Sequence, residues 1–476
     1  MNAIVQELDR ESNKTRTLNG MKIKKSSQNA LVDLFYAIGA ARGQDEKVAA
    51  LFNKAVNADL DLAVRIALYA RDAREGMGER NSFRVMMREL AKNDYKSAYD
   101  VLPLVPILGR WDDVLAFVGT TVENDALGMY ASALDRGDAL AAKWAHREKS
   151  AKSNLARKLR EFMGLTPRAY RKMLSSLTDV VEQKMASNQW NNIEYNHVPS
   201  VASARYQRAF RRHDETRYGQ YIAALERGDK GVKINAGAVY PYDIINSVAH
   251  GEARVADQQW KALPEWVPND KSFIPLVDTS GSMFCNITGS IRAIDIALSL
   301  GLYVAERNKS IFKDRYLSFS ASPTWVDTSG LSLTQKVQQA VGVNWGYNTN
   351  VEAAYELILK TAVNAKVSQD DMPEYLIIFS DMQFDSCISG TNSVFKNVKE
   401  KFKKAGYKLP NLVFWNLVDY GSNVPVKFDK NGVALVSGFS PSLMKSVLSA
   451  DMEQFTPFHV MLDAVMKDRY NWMRNG

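Results

Sequence analysis

Along the first half of the chain, apolar residues return every three or four positions. NALVDLFYAIGAARG, EKVAALFNKAVNA, LDLAVRIALYARDARE and NSFRVMMRELAKN follow one another across short polar breaks. In the third of these, Leu60, Ala63, Val64 and Ala67 fall on one face, which is the period of an amphipathic helix. YASALDRGDALAAKWAHRE, SNLARKLREFMG, TPRAYRKMLSSLTDVVEQKMAS and VASARYQRAFRRHDETRYGQYIAALERG continue it, and the pair Thr166 and Pro167 marks a helix start. Helices of this length in close succession predict an α-solenoid of HEAT type, or else a plain helical bundle. Two segments break the pattern. NQWNNIEYNHVPS is polar and contains a proline, and KGVKINAGAVYPYD is expected to form a short hairpin or an ordered loop.

After WKALPEWVPND the period changes. KSFIPLVDTSGSM, RYLSFSA, EYLIIFSDM, NLVFWNLV and VALVSGF are short apolar runs of strand character, separated by the helical stretches SIRAIDIALSLGLYVAERN, LTQKVQQAVG, VEAAYELILKTAVNAK, SVFKNVKEKFKKAG and PSLMKSVLSAD. Alternation at this spacing predicts a mainly parallel, doubly wound sheet with helices on both faces. The expected organisation is a tail over residues 1–25, an all-α domain over 26–262, an α/β domain over 271–452, and a terminal helix over 453–476 that packs back on the helical domain.

A length of 476 residues is too great for one ordinary core, in keeping with that division. No run approaches 18 apolar residues, and MNAIVQELDRESNKTRTLNG has none of the apolar centre of a secretory signal. With two cysteines in the whole chain, a reduced, cytoplasmic protein is expected. Five scattered histidines without paired spacing disfavour a zinc site. The net charge of +8 points toward a polyanionic partner.

In doubly wound sheets, ligands bind in loops at the carboxyl ends of the strands. Three such loops here carry oxygen donors. The first strand runs into Asp278, Thr279, Ser280, Gly281 and Ser282; GYNTNVEAAY presents Thr349 just before a helix; and EYLIIFSD ends in Asp381. Hydroxyls of Ser280, Ser282 and Thr349 can bind a hard cation without neutralising it, and the carboxylates of Asp278 and Asp381 balance its charge through water. Mg²⁺ or Mn²⁺ is the cation such a set suits. A short Asp-x-Ser-x-Ser run also serves as a helix cap, so the reading rests on all three loops together.

The positive charge is concentrated. Between Lys143 and Lys172 ten basic residues, among them Lys149, Arg157, Arg160 and Arg168, face only Glu148 and Glu161. A second run holds Arg205, Arg208, Arg211, Arg212, His213 and Arg217, interleaved with Tyr206, Phe210 and Tyr218. Helical positions 205, 208 and 212 share a face. Arginines grip phosphates and stack on bases, and neighbouring aromatics give platforms for unpaired bases. A solvated helix face with the aromatics in the core is the competing explanation.

DTSGSM, Thr349 and Asp381 resemble the three motifs of the metal-ion-dependent adhesion site of von Willebrand factor A domains, with Asn348 where that family has glycine. The resemblance implies Mg²⁺ or Mn²⁺ and ligand capture rather than catalysis. A helical half ahead of such a domain resembles the Ro autoantigen family, built on the TROVE module. KWAHR, the VPS…Y…F.RHD stretch and PYDI recur in that order in Ro-like proteins. The resemblance implies a ring of helical repeats that binds misfolded and small non-coding RNAs. Lys149, Arg157, Arg160, Arg168, Arg208, Arg211, Arg212 and His213 are then the expected RNA contacts, chosen by charge. Two functions follow: a non-enzymatic, monomeric RNA-binding protein, or a metal-dependent module that captures an acidic side chain of a protein partner.

Overall fold

A computed structural model describes residues 12–17, 22–289, 291–319, 322–342, 350–384, 390–421, 424–448 and 454–473. Helices fill the chain from Ala30 to Lys261, and a six-stranded sheet with flanking helices follows. The expected order, a helical half followed by a mainly parallel α/β half, is the order found. None of the described helices is long and apolar enough to cross a membrane.

The strands of the large sheet are β1 (Phe273–Asp278), β2 (Arg315–Phe319), β3 (Thr324–Asp327), β4 (Tyr375–Ser380), β5 (Asn411–Asn416) and β6 (Val433–Ser437). Their order across the sheet is β6-β5-β4-β1-β2-β3, parallel throughout except for the β2–β3 hairpin at one edge. Every residue of β1, β4 and β6 is buried. Uninterrupted apolar runs of this kind belong to strands covered on both faces. Pro275 lies inside β1 and lacks an N–H, yet the ladder to β2 begins only at Leu276, one residue beyond it.

The helix Ala293–Arg307 lies behind β1, and almost all of it is buried. Gly301 faces Val277, and a Cβ added there would collide with the valine side chain. Gly301→Ala should therefore lower stability by about 1–3 kcal/mol, the usual cost of overpacking a filled core. Thermal unfolding measures it; an unchanged midpoint would mean that helix and strand pack less closely than described.

By their contacts the residues form two compact units whose limits differ from the expected domains. The α/β unit takes in the described part of Met1–Leu62, then Tyr240–Asp257 and Pro264–Met466; the helical unit holds Ala63–Val239, Gln258–Leu263 and the described residues after Lys467. The expected boundary at residue 26 fails because Ala30–Ile38 packs against β6, with the Gly39 N–H donating to the Ser437 hydroxyl at 3.0 Å. Lys24 likewise exchanges backbone hydrogen bonds with Val424 at 2.9 and 3.1 Å. The expected terminal helix also divides. Pro457–Val465 buries Val460, Met461, Ala464 and Val465 and packs against β6. Only the residues beyond it join the helical unit, where the Tyr470 hydroxyl donates to Asp72 at 2.9 Å and its ring meets Tyr69 edge-on.

Within the helical unit three long predicted stretches are each broken in two, the first at Gly137, between Glu123–Asp135 and Ala139–Trp144. Thr178 is extended and separates Pro167–Leu177 from Val181–Ala186. Asp214 leaves helical geometry between Ser200–His213 and Glu215–Arg227 because its carboxylate accepts from the Tyr195 hydroxyl and from Arg217. The start at Thr166 is as read: its hydroxyl accepts from the Ala169 N–H, with Pro167 at the first helical position. KGVKINAGAVYPYD contains no strand; its last residues open the helix Pro241–Ala249.

Candidate metal centre and basic surfaces

β1 and β4 are neighbours, and the chain leaves β1 toward β2 on one side before returning to β4 on the other. Their carboxyl ends thus flank the point where the winding reverses, the usual crevice for a ligand in such sheets. β1 delivers Asp278 there, only 1% exposed, and the chain turns at once so that Ser280 and Ser282 follow on the same loop. The Ser280 N–H donates to Asp278 Oδ1 at 2.9 Å, and the two serine hydroxyls stand 3.1 Å apart. β4 delivers Ser380 and Asp381. The Ser380 hydroxyl donates to Asp278 Oδ2 and accepts from the Met382 N–H at 2.9 Å. Met382 has φ of +62°, a conformation that costs a side-chain-bearing residue on the order of 1–3 kcal/mol and gathers at functional sites.

The two carboxylates are the unusual feature. Asp381, also 1% exposed, accepts from the Gln383 N–H at 3.1 Å through Oδ1, while its buried Oδ2 has no well-aligned donor among the described residues. Burial raises the Asp278 carboxyl to about 7, with the nearby Asp381 charge adding to the shift and the Ser380 hydrogen bond opposing it. Burial raises Asp381 as well, and the neighbouring Ser282 hydroxyl works against that. No lysine or arginine among the described residues forms an ion pair with either. Two buried acids without a cation are costly, and a bound divalent ion would compensate both. The donor set of two acids and clustered hydroxyls fits a hard cation. Thr349, the expected third hydroxyl, lies outside the described residues, as does Cys387.

Two residues near this site escaped the sequence reading. Ser380 sits beside Asp381 in FSD, and its hydroxyl next to a strand-end acid was the available signal. Tyr420 donates from its hydroxyl to the Ser282 carbonyl at 3.3 Å, and nothing in the sequence ties it to that loop. Burial raises the Tyr420 phenol, with a Cys285 hydrogen bond as the next cause.

The basic residues of the helical unit fall on separate helices. Lys149 lies in the turn before Ser153–Phe162, which carries Arg157, and Arg168 stands in the first turn of Pro167–Leu177; all three are exposed. Arg208, Arg211, Arg212 and His213 are exposed on Ser200–His213, as is Arg205, so the ridge at 205, 208 and 212 faces outward. Arg160 differs from these. It is 15% exposed and spent on Glu148 at 2.7 Å and on the Leu165 carbonyl at 3.0 Å. Arg217 is likewise consumed by the Trp190 and Ile193 carbonyls and by Asp214. Phe210 and Tyr218 are core residues, so the competing explanation holds for them. The outward platform is His213 stacked on Trp190, with centroids 4.6 Å apart.

A further charged cluster lies in the helical unit. Asp113 is fully buried and receives Arg71 and Arg84 at 2.7 Å each. Asp112 receives Arg84 at 2.8 Å and the Nε and Nη2 groups of Arg110, at 2.9 and 2.7 Å. Arg110 in turn lies over the Trp144 ring at 3.8 Å. Gly109 is required here, since a Cβ would fall 2.6 Å from the Asp113 carboxylate. Arg80 feels these charges, its guanidinium pKa lowered by burial first and then by Arg110. Burial also lowers the His146 pKa. Arg71, Arg80, Arg84 and Arg110 come from three segments, LYARDARE, GERNSFR and GRWDD, and their recurring arginines were the available sequence signal.

A family model described as domain of unknown function DUF2828 matches residues 129–269, and one described as DUF7788 matches residues 272–469. The crystal structure of the Deinococcus radiodurans Ro (RSR) protein is similar over 93% of this chain and 100% of that one, at 14% identity and a TM-score of 0.48. Uncharacterized protein L728 of Acanthamoeba polyphaga mimivirus is 30% identical over 508 residues, covering 95% of this chain and 87% of that protein. The chain belongs to the same family as this mimivirus protein.

Proposed function

We propose that this is a non-enzymatic RNA-binding protein of Ro type, cytoplasmic and monomeric. It takes small non-coding or misfolded RNA on the basic surface of its helical unit and holds Mg²⁺ or Mn²⁺ in its α/β unit. The observation that carries the reading is a set of exposed cations: Lys149, Arg157, Arg168 and Arg212 are all solvent-facing and form no ion pair among the described residues. Elsewhere on the helical unit exposed lysines are paired, as Lys92 is with Glu89 and Lys158 with Glu123. Trp190 and His213 place a stacked aromatic pair beside the arginine ridge, which suits unpaired bases. RNA recovered with the purified protein, and binding of small RNAs at about 50 mM salt with steep salt dependence, test it. Absence of binding to any small RNA under those conditions would defeat it.

A second reading concerns the α/β unit. Asp278 and Ser280 are buried, but Ser282 is half-exposed, so a cation held by the loop would be approachable from the Ser282 side. A carboxylate of a partner protein could complete its coordination there. The hydroxyl-rich donors leave the ion electrophilic, which suits capture rather than hydrolysis.

A further inference from the structure

One cavity of the α/β unit plays no part in either reading. It encloses about 260 Å³ and lies beyond the carboxyl end of β5, where Asn416 and Asp419 line it with Tyr36, Lys25, Lys47 and Lys54. Asp419 is held firmly. Its N–H donates to the Ala40 carbonyl, its carbonyl accepts from Gln44 at 2.8 Å, and its carboxylate accepts from the Gly421 N–H at 2.9 Å and faces Lys47 at 2.5 Å.

Tyr36 is 3% exposed, and its buried hydroxyl has no hydrogen-bond partner among the described residues. Burial, and after it the Asp419 charge, hold the phenol well above its ordinary pKa, so the group remains a donor near neutrality. A phenylalanine would fill the same space without stranding a polar atom, which makes the hydroxyl informative. Lys47 and Lys54 share one face of the helix Asp45–Ala58, two turns apart. Lys25 and Lys54 are exposed and form no ion pair among the described residues. The other acid at the cavity, Asp33, is already engaged by the Ser26 hydroxyl and the Ser27 N–H at 2.6 and 2.7 Å.

We propose that this cavity binds a small phosphorylated sugar, of the size of a ribose phosphate, with the phosphate against Lys25 and Lys54 and a sugar hydroxyl between Tyr36 and Asp419. The hydroxyl accepts the Tyr36 proton and donates its own to the Asp419 carboxylate, which pairs both buried groups. The phosphate meets two cations without acidic partners, and the volume lies below the range of pockets for larger ligands. The moiety comes either as a free sugar phosphate or as the 5′-terminal nucleotide of an RNA. The inference is independent of the metal centre and of the basic helical surface.

Titration calorimetry of the full chain with ribose 5-phosphate, inorganic phosphate and a 5′-phosphorylated oligoribonucleotide tests it. Ribose 5-phosphate should bind, Tyr36→Phe should weaken it about tenfold, and Lys54→Ala should do the same. Inorganic phosphate should respond to Lys54→Ala and not to Tyr36→Phe. Tyr36→Phe should leave the thermal midpoint level or raise it, so lost binding cannot be ascribed to unfolding; Lys54→Ala, on an exposed position, is the second safeguard. If the oligonucleotide also loses affinity on Tyr36→Phe, the source is an RNA end; if only ribose 5-phosphate does, it is a free metabolite. Either outcome supports the site. Failure of wild-type protein to bind ribose 5-phosphate or the oligonucleotide at roughly 10 mM, or indifference to both substitutions, would overturn it.

Discussion

Replacing Arg157, Arg168 and Arg212 together by alanine should weaken RNA binding about a hundredfold at roughly 0.1 M salt. The size follows from counterion release: each phosphate contact on a single strand contributes about 0.7 to the slope of log affinity against log salt, so three contacts make up about 2. The same variant should accordingly show a salt slope shallower by about 2. All three side chains are exposed and form no ion pair among the described residues, so stability should move little, within about 0.5 kcal/mol per site. Filter binding over a salt series, with thermal unfolding as control, measures both quantities. An unchanged slope with unchanged affinity would mean that RNA, if bound, is bound elsewhere. Arg160→Ala serves as contrast. Because Arg160 holds Glu148 and the Leu165 carbonyl, its loss should lower stability more than it changes the salt slope.

The second large effect concerns the metal. With Mn²⁺ or Mg²⁺ at about 100 times its dissociation constant, the wild-type protein should gain about 2.7 kcal/mol of stability. Asp278→Asn should abolish that gain. In the absence of metal the same substitution should leave the protein as stable as before or more so. It removes one of two buried, mutually repelling carboxylates, while Ser380 keeps an oxygen to which it can donate. Opposite responses of one variant with and without the cation are hard to produce by a merely structural role. Ser280→Ala should weaken the cation without the metal-free stabilisation, since it removes a hydroxyl and no charge. Equal destabilisation of Asp278→Asn in both conditions would make the aspartate a packing residue.

Much of the fold was legible because its signals are repetitive. The switch from a period of three or four to short apolar runs located the sheet, and the absence of alternation in FIPLVD and YLIIFS marked those strands as buried on both faces. The edge strand β3 was missed: it has four residues, only Val326 of which is buried, and it pairs on one side alone. The helix breaks at Thr178 and Asp214 were missed because local periodicity runs through both; tertiary hydrogen bonds set the second, as those of Asp214 to Tyr195 and Arg217 show.

The site was legible unevenly for the same reason. Asp278, Ser280 and Ser282 form one short motif at a strand end, and Asp381 ends a second buried strand, so position alone identified them. Charge identified the exposed arginines but could not say which were already committed. Arg160 and Arg217 look no different in the sequence from Arg157 and Arg212, yet the fold commits Arg160 to Glu148 and the Leu165 carbonyl, and Arg217 to the Trp190 and Ile193 carbonyls. The convergence of Arg71, Arg84 and Arg110 on Asp112 and Asp113, and the placing of Tyr36 and Asp419 at one cavity, arise from folding contacts between segments distant along the chain.

Crystals of the protein grown with Mn²⁺ and measured at the manganese absorption edge would test the metal centre most directly. A single strong anomalous peak is expected within bonding distance, about 2.0–2.3 Å, of both the Ser280 and Ser282 hydroxyls, with Asp278 and Asp381 reaching it directly or through water. A peak elsewhere, or none between the ends of β1 and β4 at millimolar Mn²⁺, would contradict it.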